Sequence, residues 1–534
     1  MSSIPSGAAA RKSTGIARAT AIMMATVLLS RVLGVLRDAI ISHYFGRGPE
    51  TDAYNAAFTV PDLLFYLLQS GALSSTIVPI ITEYRAQGRE DLADKTINIV
   101  ATTIFVFIGS LILLMEVNAR SLTLFLNPGF IQKSNAGYII PLAVHLTRIL
   151  LPAQICFFLG GLMSGVLYSR KQFLAPALAP VIYNSGIIFG GLVLRHWLGL
   201  QGLIWGAVGG AFFGNLLLPA FFVYRDGLSF RPSLDVLHPA ARKVWRMLLP
   251  IGLGVALPNI DQIVNKAFAS CLGPGDITAT MNAYRLMLLP IGVFAQAMSL
   301  AVYPTLSHQA ADKDMPAMRK TMGDSLCSIF FLTAPAAALM FILSVPTVSF
   351  LLQSGHFSHN DSVVTAAALQ YFALGICAWS AQSLLTRGFY ALQNSRIPVV
   401  SGALVSILFV AMNYGVIHAT HWGVPGLAAA TSLAATIHMT ALFFLLHWRL
   451  GGLDLRVIMV NVARTLLATT ALCAVAYPVR CALDSLLPHL GVKLHAIIVL
   501  GAGSAAGLSA FLAVAVLLRM PELRSAIRLV RRTK

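Results

Sequence analysis

Apolar runs long enough to cross a bilayer recur from one end of the chain to the other, separated by short polar connections. A helix of roughly 20 apolar residues, rising about 1.5 Å per residue, covers the hydrocarbon core. Such runs fall at 20–45, 55–84, 96–116, 140–168, 174–194, 200–224, 245–271, 278–306, 323–353, 363–392, 398–418, 424–447, 457–478 and 494–518, and predict fourteen helices. The connection 117–139 is longer than the others, and its SLTLFLNPGF portion suits the membrane interface.

Composition agrees with an all-α polytopic membrane protein. Of 534 residues, 57% are hydrophobic and 11% charged, against about 25% charged in a soluble domain. The net charge of +18 raises the question of nucleic acid, but the basic residues are scattered between the apolar runs. Their distribution instead fits positive loops on one membrane face. With the N-terminus and every second connection assigned to the cytoplasm, 25 Lys and Arg lie on that side. Six lie opposite (Arg47, Arg120, Lys133, Arg195, Arg480, Lys493) and seven fall inside helices. Both termini are therefore expected to be cytoplasmic. The first eighteen residues are polar and basic, but the apolar run after them continues into a charged helix without a convincing cleavage site. The six cysteines show no paired spacing and read as small buried apolar residues, with neither a disulfide framework nor a metal site expected.

An internal repeat organises the runs. Ala72-Leu73-Ser74 with Pro79 matches Ala297-Met298-Ser299 with Pro304, an offset of 225, and Tyr168 to Pro176 matches Tyr390 to Pro398, an offset of 222. The offset spans six helices, an even number, so the halves have one orientation. The expected architecture is two six-helix lobes related by a pseudo-two-fold axis along the membrane normal, plus two C-terminal helices. The corresponding parts are a tail at 1–19, lobes at 20–224 and 225–450, helices 13 and 14 within 451–518, and a basic tail at 519–534.

The most costly residues mark the candidate site. In SRVLGVLRD, Ser30 to Asp38, Arg31 stands near the middle of the first run, where an arginine costs about 2.5–3.5 kcal/mol even on insertion scales. Arg31 and Asp38 are seven apart and share a helix face, with Arg37 about 120° round the helix. Either Asp38 orients an arginine on a cationic cavity wall, or the charges form a structural ion pair with Arg37 reaching toward the surface. Arg285, within MNAYRLMLLP, is a second cavity arginine or an interface anchor. Planar guanidinium forks suit phosphate oxygens. Pro258-Asn259-Ile260-Asp261-Gln262 and Asn265-Lys266 suggest a broken helix. There Asp261 either binds a cation or pairs with Lys266 or Arg148. Arg148 otherwise reads as an anchor, and Asp62, after Pro61, as a helix-start or cavity residue. His418 and His421 fit a short interfacial loop. No GxxxxGK[ST], HExxH or CxxC motif occurs, nor GxSxG in a strand-to-helix context. Direct ATP coupling and membrane hydrolysis are therefore not expected, and no catalytic residue is assigned.

Several short motifs carry a family resemblance. They are Ser30-Arg31-Val32-Leu33-Gly34, Arg37-Asp38, Tyr44-Phe45-Gly46, Thr51-Asp52-Ala53, Pro61-Asp62-Leu63-Leu64, Gly71-Ala72-Leu73-Ser74, Val78-Pro79, Leu146-Thr147-Arg148, Arg285-Leu286 and Phe389-Tyr390-Ala391 leading to Pro398. Together they resemble the MurJ/MviN lipid II flippases of the multidrug/oligosaccharidyl-lipid/polysaccharide exporter superfamily, over essentially the whole chain. The resemblance implies a transporter that moves undecaprenyl-diphosphate-linked peptidoglycan precursor to the outer leaflet by alternating access. It assigns the diphosphate and headgroup to Arg31, Arg37 and Arg285, with Asp38 beside them, and a lipid-tail groove to helices 13 and 14. It implies lipid II and membrane lipids as partners, not nucleic acid. A monomer working with the cell-wall synthesis machinery in the bacterial inner membrane is expected. No cofactor is implied, and coupling falls to a monovalent cation or the membrane potential. Some members bind sodium between helices 7, 11 and 12. Here Asn265 stands where those members have an aspartate, and Asn413 and Thr436 are looser matches. The chain also departs in helix 2, with Phe65 and Tyr66 in place of an arginine and Ser70 in place of a glutamate. Greater dependence on Arg31 and Arg285 is expected in consequence. The alternatives are an exporter of another polyprenyl-linked oligosaccharide or a multidrug exporter, the latter expected to have fewer cavity cations and twelve helices.

Overall fold

The computed structural model describes residues 6–68, 70–228, 230–235, 238, 239, 242, 246 and 260–523, and among these there is helix but no strand. The chain divides into two compact units, Met1–Phe45 with Pro49–Asn259, and Gly46–Gly48 with Ile260–Lys534. The first unit contains α1 (Ser6–Phe45), α2 (Pro49–Ala57), α3 (Thr59–Leu68), α4 (Ser70–Ala86), α5 (Glu90–Val117), α6 (Ala119–Leu126), α7 (Ala136–Leu150), α8 (Ala153–Ser169), α9 (Leu174–Leu198) and α10 (Gln201–Arg225). The second contains α11 (Ile260–Ser270), α12 (Asp276–Ala311), α13 (Met315–Ile342), α14 (Ser344–Leu351), α15 (His359–Leu374), α16 (Ile376–Ala391), α17 (Arg396–Ala419), α18 (Gly423–Arg449), α19 (Leu455–Leu486) and α20 (Val492–Leu517).

Each of the fourteen predicted runs falls mainly on helix where it is described, with breaks at Phe58, Leu151-Pro152, Leu343 and Gly375. Among the described residues ten helices are long and apolar enough to cross a membrane, or eleven when α15 and α16, bent by 44°, form one span. The remaining runs are 20–45, 55–84 and 245–271. The second of these is divided into α2, α3 and α4. Within 245–271 only Arg246 and the residues from Ile260 are described, so the expected break at Pro258-Asn259 lies outside the described residues, as does the basic tail from 524. The run 140–168 is interrupted after Leu150, where Pro152 lacks the N–H that a continuous helix would use.

The repeat is also written in the backbone. Five left-handed φ positions in the first half, Gly46, Gly88, Lys171, Gly199 and Gly227, have counterparts in the second at Gly275, Lys313, Gln393, Gly423 and Gly451, while Gly355, Gly452 and Arg519 have none. Taken in order, the partners are separated by 222 to 229 residues, bracketing the offsets of the sequence matches. Lys171 and Gln393 hold a conformation that costs an L-residue roughly 1–2 kcal/mol.

Small residues set the packing in the first unit. A Cβ at Gly186 would meet the Gly206 carbonyl oxygen at 2.5 Å, and one at Gly190 the Gly202 carbonyl oxygen at 2.2 Å. The backbones of α9 and α10 therefore touch directly, as membrane helices do when van der Waals contact must replace the hydrophobic effect. In the second unit, α19 and α20 pack on one another and on α13, through Phe331, Leu343, Leu472, Ala476, Val499 and Phe511.

Candidate functional site

The charged stretch of α1 is built into the first unit. Arg37 pairs with its neighbour Asp38 at 2.8 Å, and the two side chains are 19% and 11% exposed. Its Nη1 donates to Asn184 Oδ1 on α9 at 3.0 Å. The Asn184 amide nitrogen in turn donates to the Ser30 carbonyl (3.3 Å) and hydroxyl (3.2 Å) and to the Pro180 carbonyl (3.1 Å). Arg37 thus does not reach toward a membrane surface. Its long side chain folds across the 100° between adjacent helix positions to meet Asp38, and Asn184 holds its other edge. Asp38 therefore orients Arg37, whereas the shared helix face had paired it with Arg31. Arg31 is half-buried on the same helix, flanked by the exposed Leu28, Leu29 and Val32. Asn184 was not singled out as a site residue, although a polar amide inside the run 174–194 is a visible signal.

At the helix 2 positions where the resemblance implies an arginine, this chain builds aromatic contacts. Tyr66 and Phe65 meet with ring centroids 6.0 Å apart. Phe65 reaches Phe157 on α8 at 5.7 Å, and Phe157 reaches Tyr183, next to Asn184, at 5.4 Å. Edge contacts of this kind contribute about 0.5–1.5 kcal/mol beyond the area they bury. Asp62 lies in the first turn of α3, where a carboxylate meets the positive end of the helix dipole. Arg148 is 51% exposed and faces Glu116 at 3.9 Å, an anchor geometry.

In the second unit, Asp261 accepts from the Tyr284 hydroxyl at 3.1 Å and from its neighbour's amide, Gln262 N, at 2.8 Å. Of the alternatives for Asp261, a pair with Lys266 is disfavoured by the helix, because five residues place the two about 140° apart. Tyr284 is itself wedged between Phe372 and Trp379 and directly precedes Arg285, which is half-buried. The Asp261–Tyr284 bond thereby ties α11 to the turn of α12 that carries Arg285.

The suggested cation residues separate into two groups. Asn265 and Asn413 are fully buried, and Asn265 Oδ1 contacts the Thr431 hydroxyl at 3.1 Å. Thr436 is exposed, and its hydroxyl bonds back to the Ser432 carbonyl. Thr431, five residues earlier on α18, takes the place expected for Thr436. Asn265 Nδ2 and Asn413 Oδ1 are buried without a hydrogen-bond partner, one a donor and the other an acceptor. Among the described residues no group of three or more His, Cys, Asp or Glu is arranged to hold a metal. The amides and hydroxyl offer no negative charge, and an ion buried among them would lack compensation for several kcal/mol of lost hydration. These residues do not fit a sodium ion.

Among the described residues the protein is all-helical, with ten or eleven helices long and apolar enough to cross a membrane and an oriented arginine inside its first helix, which makes it a polytopic membrane protein. Comparison with known proteins makes the family specific. The profile described as lipid II flippase MurJ matches residues 41–500. The lipid II flippase MurJ of Burkholderia cenocepacia is 29% identical over 439 residues, covering 81% of this chain and 84% of that protein. A probable lipid II flippase MurJ from Bdellovibrio bacteriovorus is 29% identical over 446 residues, covering 82% and 83%. A solved structure of lipid II flippase MurJ in an inward closed conformation superposes with a TM-score of 0.77 at 23% identity, over 93% of this chain and 98% of that one. An inward-facing multidrug resistance MATE transporter shares the fold at a TM-score of 0.67 and 15% identity, over 80% and 98%. The chain belongs to the lipid II flippase MurJ family.

Proposed function

We propose that this protein is a lipid II flippase, moving the polyprenyl-diphosphate-linked precursor from the cytoplasmic to the outer leaflet by alternating access. Arg31, Arg37 and Arg285 take the diphosphate, and Asp38 with Asn184 fixes the Arg37 fork. The observation that carries this reading is the doubly anchored Arg37 inside the first helix of a chain matching the family over residues 41–500. A guanidinium held before the ligand arrives loses little side-chain entropy on binding it, and charge-assisted bonds to phosphate strengthen where water is scarce. No bond is made or broken.

The neutral Asn265 cluster directs coupling to the membrane potential. With the cytoplasm negative, outward movement of an anion is favoured by about 2.3 kcal/mol per charge per 100 mV. The protein acts as a monomer in the bacterial inner membrane, with both termini cytoplasmic, alongside the cell-wall synthesis machinery. Complementation of a flippase-depleted bacterium tests the assignment. Wild type is expected to restore growth, and Arg31→Ala to fail at equal abundance. Failure of wild type despite normal insertion would reject the lipid II assignment.

A further inference from the structure

A polar pocket lies in the second unit where α19 ends and α20 begins, and the transport reading makes no use of it. Its volume is 490 Å³, within the usual range for ligand pockets. Arg480, Asp484, His495, His359 and Ser349 contribute its polar lining. Arg480 is held from behind, with Nη1 donating to the Ile342 carbonyl at the end of α13. Its Nε lies 3.4 Å from Asp484 Oδ2, and His495 Nε2 lies 3.4 Å from Asp484 Oδ1. Both contacts are longer than the 2.7–2.9 Å of a strong charge-assisted bond. Lys493, just outside the lining, donates to the Ser349 and Phe350 carbonyls at 3.3 and 2.5 Å.

Two further observations give the pocket a preference for anions. Val492, the first residue of α20, lines it, and no side chain caps that helix start. The start of a 26-residue helix, the positive end of its dipole, therefore lies at the pocket with no side-chain cap. Arg480 and Lys493 are also two of only six basic residues on the charge-poor side of the membrane. Of the others, Arg47 is balanced by Asp276 and Asp361, and Lys133 by Asp52. The hairpin joining α19 and α20 thus brings two cations, a histidine and an open helix start to one place, against the single carboxylate of Asp484.

We propose that this pocket binds the phosphate of a membrane lipid at the outer surface, with Arg480, His495 and the first amides of α20 as donors. Asp484 occupies the donors until the phosphate enters. The pocket's chemistry stands without the flippase reading, and only its assignment to the outer face uses the charge asymmetry. Two lipid classes carry a phosphate with net negative charge, an anionic phospholipid and a polyprenyl diphosphate, whereas the phosphate of phosphatidylcholine is balanced by choline. The test is native mass spectrometry of the full-length protein titrated separately with phosphatidylglycerol, farnesyl diphosphate and phosphatidylcholine. Arg480→Gln is expected to weaken binding of the phosphate-bearing anion about fivefold, and His495→Gln less. Asp484→Asn is expected to tighten it, because a competitor is removed. A response confined to phosphatidylglycerol assigns the pocket to bulk phospholipid, and one confined to farnesyl diphosphate assigns it to polyprenyl diphosphates. If Arg480→Gln and Asp484→Asn lower the melting temperature alike and alter neither titration, the cluster is a structural clamp and the proposal is overturned.

Discussion

At the scale of single residues, Arg37 shows how a costly charge is retained in an apolar helix. Its guanidinium is shared between Asp38 and Asn184, and Asn184 also grips Ser30, so one amide on α9 fixes the register of α1 beside it. Asn184→Ala is expected to leave a buried N–H of Arg37 unsatisfied and to destabilise the fold by about 1–3 kcal/mol. Thermal unfolding in detergent checks this, and an unchanged melting temperature would show that Arg37 finds another acceptor. Arg31, Arg37 and Arg285 were legible in the sequence because an ionisable residue inside an apolar run stands out by itself. Asn184 and Thr431 stood out only as polar residues in apolar runs, and their roles were not legible because these depend on partners 147 and 166 residues away. Glu522 provides a pH test beyond the last span. It is 8% exposed with one carboxylate oxygen unpartnered, and burial holds its carboxyl above the usual range despite the opposing effect of Arg464. A raised pKa in the folded state means that stability is greatest while the group is protonated and declines as pH rises through the folded value. Glu522→Gln should therefore raise the melting temperature at pH 8 and change it little at pH 4.

At the scale of elements, hydropathy located the helices, and local chemistry decided where they break. A run length cannot show that 55–84 becomes three helices, whereas Pro152 in 140–168 was a readable stop. The connection Gly46–Gly48 is more informative still, because it clusters with the second unit although its flanking helices belong to the first. Arg47 bonds Asp276 at 2.5 Å and Asp361 at 3.4 Å, and a Cβ on Gly46 would meet the His356 carbonyl oxygen at 2.5 Å. Arg47→Gln leaves two carboxylates facing one another and should cost about 3 kcal/mol, with partial rescue by Asp276→Asn. A melting temperature no different from wild type would contradict this. Gln393→Gly relieves a left-handed backbone position and should stabilise by about 1 kcal/mol, visible in the same melt.

At the scale of the molecule, the charge asymmetry is that of a polytopic chain inserted with one orientation, and the central arginines suit the diphosphate of the proposed substrate. The repeat was visible in two short matches, and the recurrence of left-handed turns extends it through both halves of the chain. The burial of Asn265 beside the Thr431 hydroxyl was not legible, because it depends on a residue on another helix. Asn265 with Thr431 predicts that replacing sodium by potassium leaves transport unchanged, whereas collapsing the membrane potential slows it. The most direct measurement is translocation of fluorescent lipid II in proteoliposomes with an imposed potential, negative on the donor side. Wild type should translocate the lipid in sodium and potassium alike, and Arg31→Ala and Arg285→Ala should each abolish transport while retaining the wild-type melting temperature. Undiminished translocation by either well-folded arginine variant would contradict the central claim.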